Sequence, residues 1–327
     1  MSLPTAPSSI PLYVDLDGTL IRTDSMQQAL LMLIRRHPLT AIWAMAFVAT
    51  HRVKVKHVIA RFVRLEPAYL PYRDEVVTYV KQAKAQGRRV VLATGSAMPY
   101  AQSVADHMGC FDAVFATESN GLNLISENKL ARIRQDAAHH GETGFEYLGD
   151  SHADVTIFRQ SAVAGWVGPR RLNINPTNET HVHRLVNVRN NRLRDIVRLM
   201  RPTWCIISFI SCMAFVLFTT SAPGAWTHAV LASVSLASAV SAAFVVGDLL
   251  HIATDQRSKH IHWRPVADGS VTIKCATFVL LACLTVTLAL GAMHSLRWVI
   301  AMTGVVVLMQ LFLMRKAPHG QTANPHA

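Results

Sequence analysis

The chain has 327 residues, with 32 Lys and Arg against 20 Asp and Glu, a net charge of +12, and five cysteines. That length suits about two domains of roughly 100–200 residues each. The cysteines lack CxxC spacing, which supports neither a zinc site nor a disulfide framework, and the basic excess lacks the aromatic interleaving expected of a nucleic-acid partner.

The opening MSLPTAPSSIP has neither the basic start nor the long apolar core of a secretion signal. The folded part begins at PLYVDLDGTLIRTD, where Leu12, Tyr13 and Val14 form a short apolar strand that ends on Asp15 and Asp17 before a turn at Gly18. Two acids closing an apolar strand are costly without a cation to offset them. Residues 24–72 then interrupt the strand pattern with a helical insert, unusually apolar over 38–50, with Arg35, Arg36, Arg52, Lys54 and Lys56 at its edges. The run 38–50 is too short to span a bilayer. Two readings stand for it: a helix lying on the lipid surface, or the core of the insert. His37, His51 and His57 show no metal-binding spacing.

Amphipathic stretches at about 73–86 and 97–108 flank a second buried strand in RRVVLATGS (88–96), which ends on Thr94 and Gly95. Lys129 lies in NLISENKLARIR, and FEYLGDSHADVTIF (145–158) supplies a third strand ending at Gly149 and Asp150, with Asp154 four residues on. Strands alternating with helices predict a parallel α/β sheet, whose ligand crevice lies at the carboxyl ends of the strands. That places Asp15, Asp17, Thr94, Asp150 and Asp154 on one rim.

Composition shifts near residue 200. Apolar segments follow at about 203–221, 229–247, 271–292 and 298–314, each near the ~20 residues that cross a hydrocarbon core and none charged at its middle. Four membrane helices are expected. Arg192, Arg194, Arg198 and Arg201 precede them, Arg257, Lys259, Arg264 and Lys274 lie between the second and third, and Arg315 and Lys316 follow the fourth. Positive-inside counting puts the N-terminal half, the loop 247–269 and the C-terminal tail in the cytoplasm, with anionic lipid as the partner of the basic excess.

The ordered set DxDGT, strand-terminal Thr94, Lys129 and GDSxxD resembles the haloacid dehalogenase superfamily of phosphotransferases over about residues 10–170. The resemblance implies a Rossmann-like domain with a small helical cap at 24–72. It also implies Asp15 as nucleophile forming an aspartyl phosphate, and Asp17 as general acid and then base. Mg²⁺ would be held by Asp15, the Asp17 carbonyl and Asp150, with Asp154 orienting that shell. Thr94, the amides near Gly95, and Lys129 would hold and neutralise the phosphoryl group. Lys84, on the helix before the second strand, reads as solvated.

NNRLRDIVRLMRPTWCIISFI and the loop GDLLHIATDQRSKHIHWRPVADG resemble the first helix and first aspartate-rich loop of UbiA-type prenyltransferases, in particular the branch that moves phosphoribose onto decaprenyl phosphate. Asp248 and Asp255 match its aspartates, Arg264, Pro265 and Gly269 its close, and Arg257 and Lys259 remain to meet a lipid diphosphate. Gly247 and His251 depart from the expected Asn and Asp, and His is a poor Mg²⁺ ligand. No Asp or Glu follows residue 270, so the second aspartate-rich loop is missing and the membrane domain reads as truncated. The expected organisation is a phosphatase domain over 10–180, a basic amphipathic linker over 181–200, a UbiA-like membrane domain over 201–316 and a polar tail over 317–327. The function it implies is an Mg²⁺-dependent phosphohydrolase, multi-pass in the cytoplasmic membrane, acting on a phosphorylated small molecule or polyprenyl phosphate. Its rivals are a prenyl or phosphoribosyl transferase completed by a partner membrane subunit, and a non-catalytic membrane scaffold.

Overall fold

The structure, a computed structural model, describes residues 10–168, 181–187, 192–219 and 224–294, together with Trp298, Gly304 and Leu308. Two units divide the chain near Asn190.

In the first unit, β1 (Leu12–Val14) leads into the insert, which folds as α1 (Ser25–Arg36), α2 (Pro38–Phe47) and α3 (Arg52–Phe62). The chain returns through α4 (Asp74–Ala85) to β2 (Val90–Ala97), α5 (Met98–Met108) and β3 (Ala113–Thr117). It continues with α6 (Ser126–His139), β4 (Glu146–Gly149), the single turn α7 (Val155–Phe158), β5 (Val163–Gly168) and β6 (His181–Asn187). The strands form one parallel sheet in the order β3-β2-β1-β4-β5-β6. Strand β6 lies within the stretch expected to be linker. Its register against β5 runs from Val163↔His181 to Gly168↔Asn187, so those seven residues add an edge strand.

Both faces of the sheet are covered, as parallel sheets require. Side chains alternate faces along a strand. Leu12 and Val14 therefore pack with Val90, Leu92 and Leu148 against Val76 and Val80 of α4 and Ala101 and Val104 of α5. Tyr13 points the other way and packs with Val91, Ala93, Phe115 and Tyr147 against Leu130 and Ile133 of α6 and Ile157 and Phe158 of α7. At the basic start of the second strand, Arg88 is 4% exposed and pairs with the fully buried Glu146.

The direction of winding reverses between β1 and β4. The chain moves outward from β1 through β2 to β3, then from β4 through β5 to β6. A crevice opens beyond the carboxyl ends of strands at such a reversal, and Asp15, Asp17 and Asp150 all follow those two strands.

The second unit contains α8 (Leu193–Leu199), α9 (Pro202–Thr219), α10 (Ala225–Leu250), the short α11 (Ile252–Gln256) and α12 (Ile273–His294). Among the described residues, α10 and α12 are each long and apolar enough to cross a membrane. The pair α8 and α9, bent by 54°, gives a third span if counted as one. Of the four expected spans, two or three are found among the described residues, because the first apolar segment yields a helix that passes only together with the bent α8. The segment 298–314 falls outside the described residues except for Trp298, Gly304 and Leu308. Ala229, Ala232, Ala239, Ala242 and Ala243 are buried along α10, the small residues that let helix backbones approach where water drives no packing. Ser235 and Ser238 of α10 donate across to the carbonyls of Thr287 and Cys283 on α12, at 3.1 and 2.9 Å.

Candidate active site

The strand β1 ends where its backbone is still paired to β4, the Asp15 amide donating to the Leu148 carbonyl at 2.9 Å. Three residues later the chain must turn sharply. Gly18 supplies this with φ of +75°, and a Cβ there would collide with the Asp150 carboxylate. The DxDG turn therefore brings the acid at the end of β4 directly onto the loop that follows β1. Thr19 Oγ1 lies 3.4 Å from Asp150 Oδ1, and Arg73 Nε donates to the Gly18 carbonyl at 3.0 Å.

Lys129 reaches the same place from α6. It is 2% exposed, and its ammonium lies 3.3 Å from Asp15 Oδ1 and 3.1 Å from Asp154 Oδ1 while donating to the Tyr147 hydroxyl at 2.8 Å. Burial alone would lower its pKa, but Asp15 and Asp154 hold it above its ordinary value. Lys84 instead pairs with Asp112 on the surface, as a solvated lysine does.

Asp17 is held differently. Its Oδ1 accepts the Ser25 amide at 2.7 Å, while its Oδ2 accepts the Ser25 hydroxyl at 3.2 Å and the Ser96 hydroxyl. Thr94 is buried within β2, which runs on past the expected end to Ala97, and its hydroxyl accepts the Ser96 amide at 3.2 Å. Gly95 is hemmed in: a Cβ there would stand 2.6 Å from the Ile125 side chain. Its carbonyl accepts Lys56 Nζ from the cap at 2.6 Å, and the same ammonium meets Asn123 Oδ1 at 2.6 Å. His57 adds a contact of 2.9 Å from its Nε2 to the Thr117 carbonyl.

Asp15, Asp17, Thr94, Lys129, Asp150 and Asp154 are therefore gathered on one rim. Ser25, Ser96, Tyr147 and Lys56 join them. None of these four belongs to the sequence motif, and only Ser96, two residues beyond Thr94 on one strand, carried a local signal.

Charge makes the rim unstable as it stands. Burial, then the Asp154 charge, raise the pKa of Asp15 to about 6 against the offset of Lys129. Burial and Asp24 raise Asp17 to about 7 despite hydrogen bonds from Ser96 and Ser25. Burial, Asp15 and Asp154 raise Asp150 to about 7. A buried Asp154 Oδ2 has no hydrogen-bond partner. Among the described residues Lys129 is the cation that touches Asp15 and Asp154, with Lys56 on Gly95 and Arg73 on Gly18 at the edges; the acids raised towards neutrality offer only oxygen donors, the ligand type of a hard divalent cation. The residues present fit Mg²⁺. Among the described residues no three His, Cys, Asp or Glu side chains gather as a ready-made metal cage; Mg²⁺ would take one or two of these carboxylates and complete its shell with water and substrate phosphate.

Stability should report this. Carboxyls that ionise near 3.8 when unfolded and near 6 to 7 when folded keep protons in the folded state that the unfolded chain has released. Stability therefore falls as pH rises from about 4 towards 7. Thermal unfolding in chelator should show a lower Tm at about pH 7.5 than at about pH 5, and saturating Mg²⁺ should raise the value at the higher pH by about 5–10 °C. A Tm indifferent to both would contradict the cation fit.

In the second unit, Asp248 is 1% exposed near the end of α10. Arg201 Nη2 lies 3.1 Å from its Oδ1 and Arg264 Nη1 2.6 Å, with Arg264 Nε 3.7 Å from Asp255. Arg201 adopts φ of +55° between α8 and α9, a conformation costing about 1–2 kcal/mol outside glycine, and its ion pair helps to offset that cost. The loop thus brings Asp248, Asp255 and Arg264 together, while Arg257 and Lys259 are exposed. A cation at Asp248 would have to displace two guanidinium groups.

Residues 12–159 match the model of the haloacid dehalogenase-like hydrolase family. The uncharacterized protein y4nM of Sinorhizobium fredii is 28% identical over 289 residues, 86% of this chain and 54% of that protein. The chain therefore spans about half the length of this curated relative. Among solved structures, a protein of unknown function from Bordetella pertussis Tohama I is similar with a TM-score of 0.39 and 18% identity over 54% of this chain and 98% of that one. A haloacid dehalogenase family hydrolase from Salmonella enterica serovar Typhi follows with a TM-score of 0.38 and 17% identity, over 49% of this chain and 64% of that one. The family match covers residues 12–159, a little under half of the chain, and that segment is similar to haloacid dehalogenase-like hydrolases.

Proposed function

We propose that this protein is a membrane-anchored, Mg²⁺-dependent phosphohydrolase working through an aspartyl phosphate on Asp15. The observation that carries the reading is Lys129. A fully desolvated ammonium set 3.3 Å from Asp15 and 3.1 Å from Asp154, beside three carboxyls pushed towards neutrality, is an arrangement for meeting concentrated negative charge.

In the first step an Asp15 carboxylate oxygen attacks phosphorus and the ester oxygen leaves, taking the proton of Asp17. In the second, Asp17 accepts a proton from water as that water attacks the aspartyl phosphate, releasing inorganic phosphate and restoring Asp15. Lys129 neutralises phosphoryl oxygens throughout, with Thr94 and the amides near Gly95 as further donors. When bound among Asp15, the Asp17 carbonyl and Asp150, Mg²⁺ supplies charge neutralisation between carboxylates and phosphate, and Asp154 keeps its neighbours in place. The substrate class is a phosphate ester presented at the bilayer, such as a polyprenyl-linked or sugar phosphate. The helices long and apolar enough to cross a membrane support the anchoring, and the basic residues beside them support a cytoplasmic-membrane location with the hydrolase domain in the cytoplasm. A phosphate-release screen over soluble sugar phosphates and polyprenyl phosphosugars, with Mg²⁺ and with chelator, tests the reading. Release that ignores the metal, or that the Asp15→Asn protein retains, would sink it.

A second reading is favoured by one observation: the matched stretch makes up 54% of y4nM, so that relative has length for a further membrane half. On that reading the chain is part of a UbiA-type prenyl or phosphoribosyl transferase, and Asp248→Ala and Asp255→Ala would abolish transfer of a radiolabelled group to polyprenyl phosphate. The two arginines already on Asp248 count against it, and the expected result is no transfer by this chain alone.

A further inference from the structure

The cap contains a helix turned inside out. In α2 only Ala41 and Ala44 are buried, while Leu39 is 82%, Ile42 60% and Trp43 41% exposed, and Met45, Phe47 and Val48 lie open beside them. The reading of this run as the core of the insert is thereby overturned, since its small residues face inward and its large ones outward. A water-facing helix carries its apolar stripe on the buried side. Exposed apolar faces of this kind mark a surface that something covers.

Charge identifies what covers it. Between Ser25 and Leu65 the sequence holds no Asp or Glu. Arg35, Arg36, Arg52, Lys54, Arg61 and Arg64 are all exposed, on the helices that flank α2 and just beyond α3. Large apolar side chains with a tryptophan, flanked in sequence by exposed cations and no acid, match the interfacial layer of an anionic bilayer. The helix is ten residues long, about 15 Å, enough to lie in that layer and too short to cross it. The same chain carries helices long and apolar enough to span a membrane, and on the membrane-anchored reading these tether the domain to a bilayer.

We propose that the outer face of α2 inserts into the interfacial layer of an anionic membrane, with the cations around it paired to lipid headgroups. This rests on the membrane-anchored reading above. It gives the cap a second task besides covering the site. The next helix, α3, ends its reach into the site with Lys56 on Gly95 and Asn123 and His57 on Thr117, so a lipid-held α2 would present the site's edge to headgroup phosphates.

The test uses the full chain in nanodiscs of phosphatidylglycerol or of phosphatidylcholine, each doped with a phospholipid carrying a photoreactive acyl chain. Crosslinks are mapped by mass spectrometry. In phosphatidylglycerol, residues 39–48 should crosslink to lipid, and the yield there should fall at least about fivefold in phosphatidylcholine. It should fall similarly in an Arg35→Gln, Arg36→Gln, Arg52→Gln, Lys54→Gln variant and in Ile42→Ser, Trp43→Ser, with crosslinks on α10 and α12 unchanged. The Asp15→Asn protein should crosslink as wild type, which separates this outcome from any result on turnover. Unlabelled α2 beside labelled α10 and α12 would overturn the inference alone. No label on α10 and α12 would overturn the anchoring with it. Chain-to-chain crosslinks at 39–48 in place of lipid would assign the face to a second copy and overturn it equally.

Discussion

Replacing Asp15 by Asn is expected to lower Mg²⁺-dependent phosphate release by about 10⁴-fold or more, the scale on which removing a nucleophile acts. The substitution is nearly isosteric, and the amide still accepts the Leu16 backbone N–H, seen at 2.9 Å from Asp15 Oδ1. Folding should be retained, and removing one acid from a crowded rim should raise Tm in chelator. That pairing of lost turnover with gained stability distinguishes a chemical role from a structural one. A variant that loses both, or that keeps turnover within about tenfold of wild type, would refute the assignment. Phosphate analogues that mimic the aspartyl phosphate should bind wild type and not the variant.

The second large effect concerns folding. Glu146 is completely buried at the start of β4, accepting Arg88 Nη2 on Oε2 at 2.6 Å and the Tyr79 hydroxyl on Oε1 at 2.6 Å, while Arg88 Nε also donates to the Ile10 carbonyl at 2.9 Å. Glu146→Gln leaves a buried guanidinium without its counter-charge, which costs about 3–5 kcal/mol and lowers Tm by about 10 °C for a domain of this size. The paired replacement Arg88→Met with Glu146→Leu should recover most of that loss, because the penalty comes from the orphaned charge and not from the lost attraction. Thermal unfolding of the three proteins decides it. A Glu146→Gln loss below about 1 kcal/mol would show that water reaches the pair.

Much of the first unit was legible because its signals are local. Short apolar runs ending on Asp15, Thr94 and Asp150 are strand and rim together, and a parallel sheet leaves little choice about where such ends meet. Strand β6 escaped because His181–Asn187 carries basic residues among its apolar ones and reads as the start of the arginine-rich stretch. Arg88 escaped for the opposite reason: a basic residue before a strand reads as an edge, and only the distant Glu146 and Tyr79 make its burial tolerable. Lys56, Ser25 and Tyr147 reach the site through tertiary folding, which spacing along the chain does not encode. In the second unit, the aspartates of the loop were visible but their partners were not. Arg201 lies 47 positions from Asp248, and nothing in the loop foretells that it would arrive first.

One contact sets the mechanics of the cap. Ser25, the first residue of α1, is fastened by amide and hydroxyl to Asp17, and its hydroxyl meets that of Ser96 on β2 at 2.7 Å. If the cap swings about that contact, its fulcrum lies inside the site. Small rotations would leave Asp17 almost still, while the far arm sweeps the longest arc and carries Lys56 and His57 away from β2 and β3. The same ratio works in reverse. A modest force on the outer helices would be delivered at the fulcrum with mechanical advantage, so the residues that travel least would feel the load most.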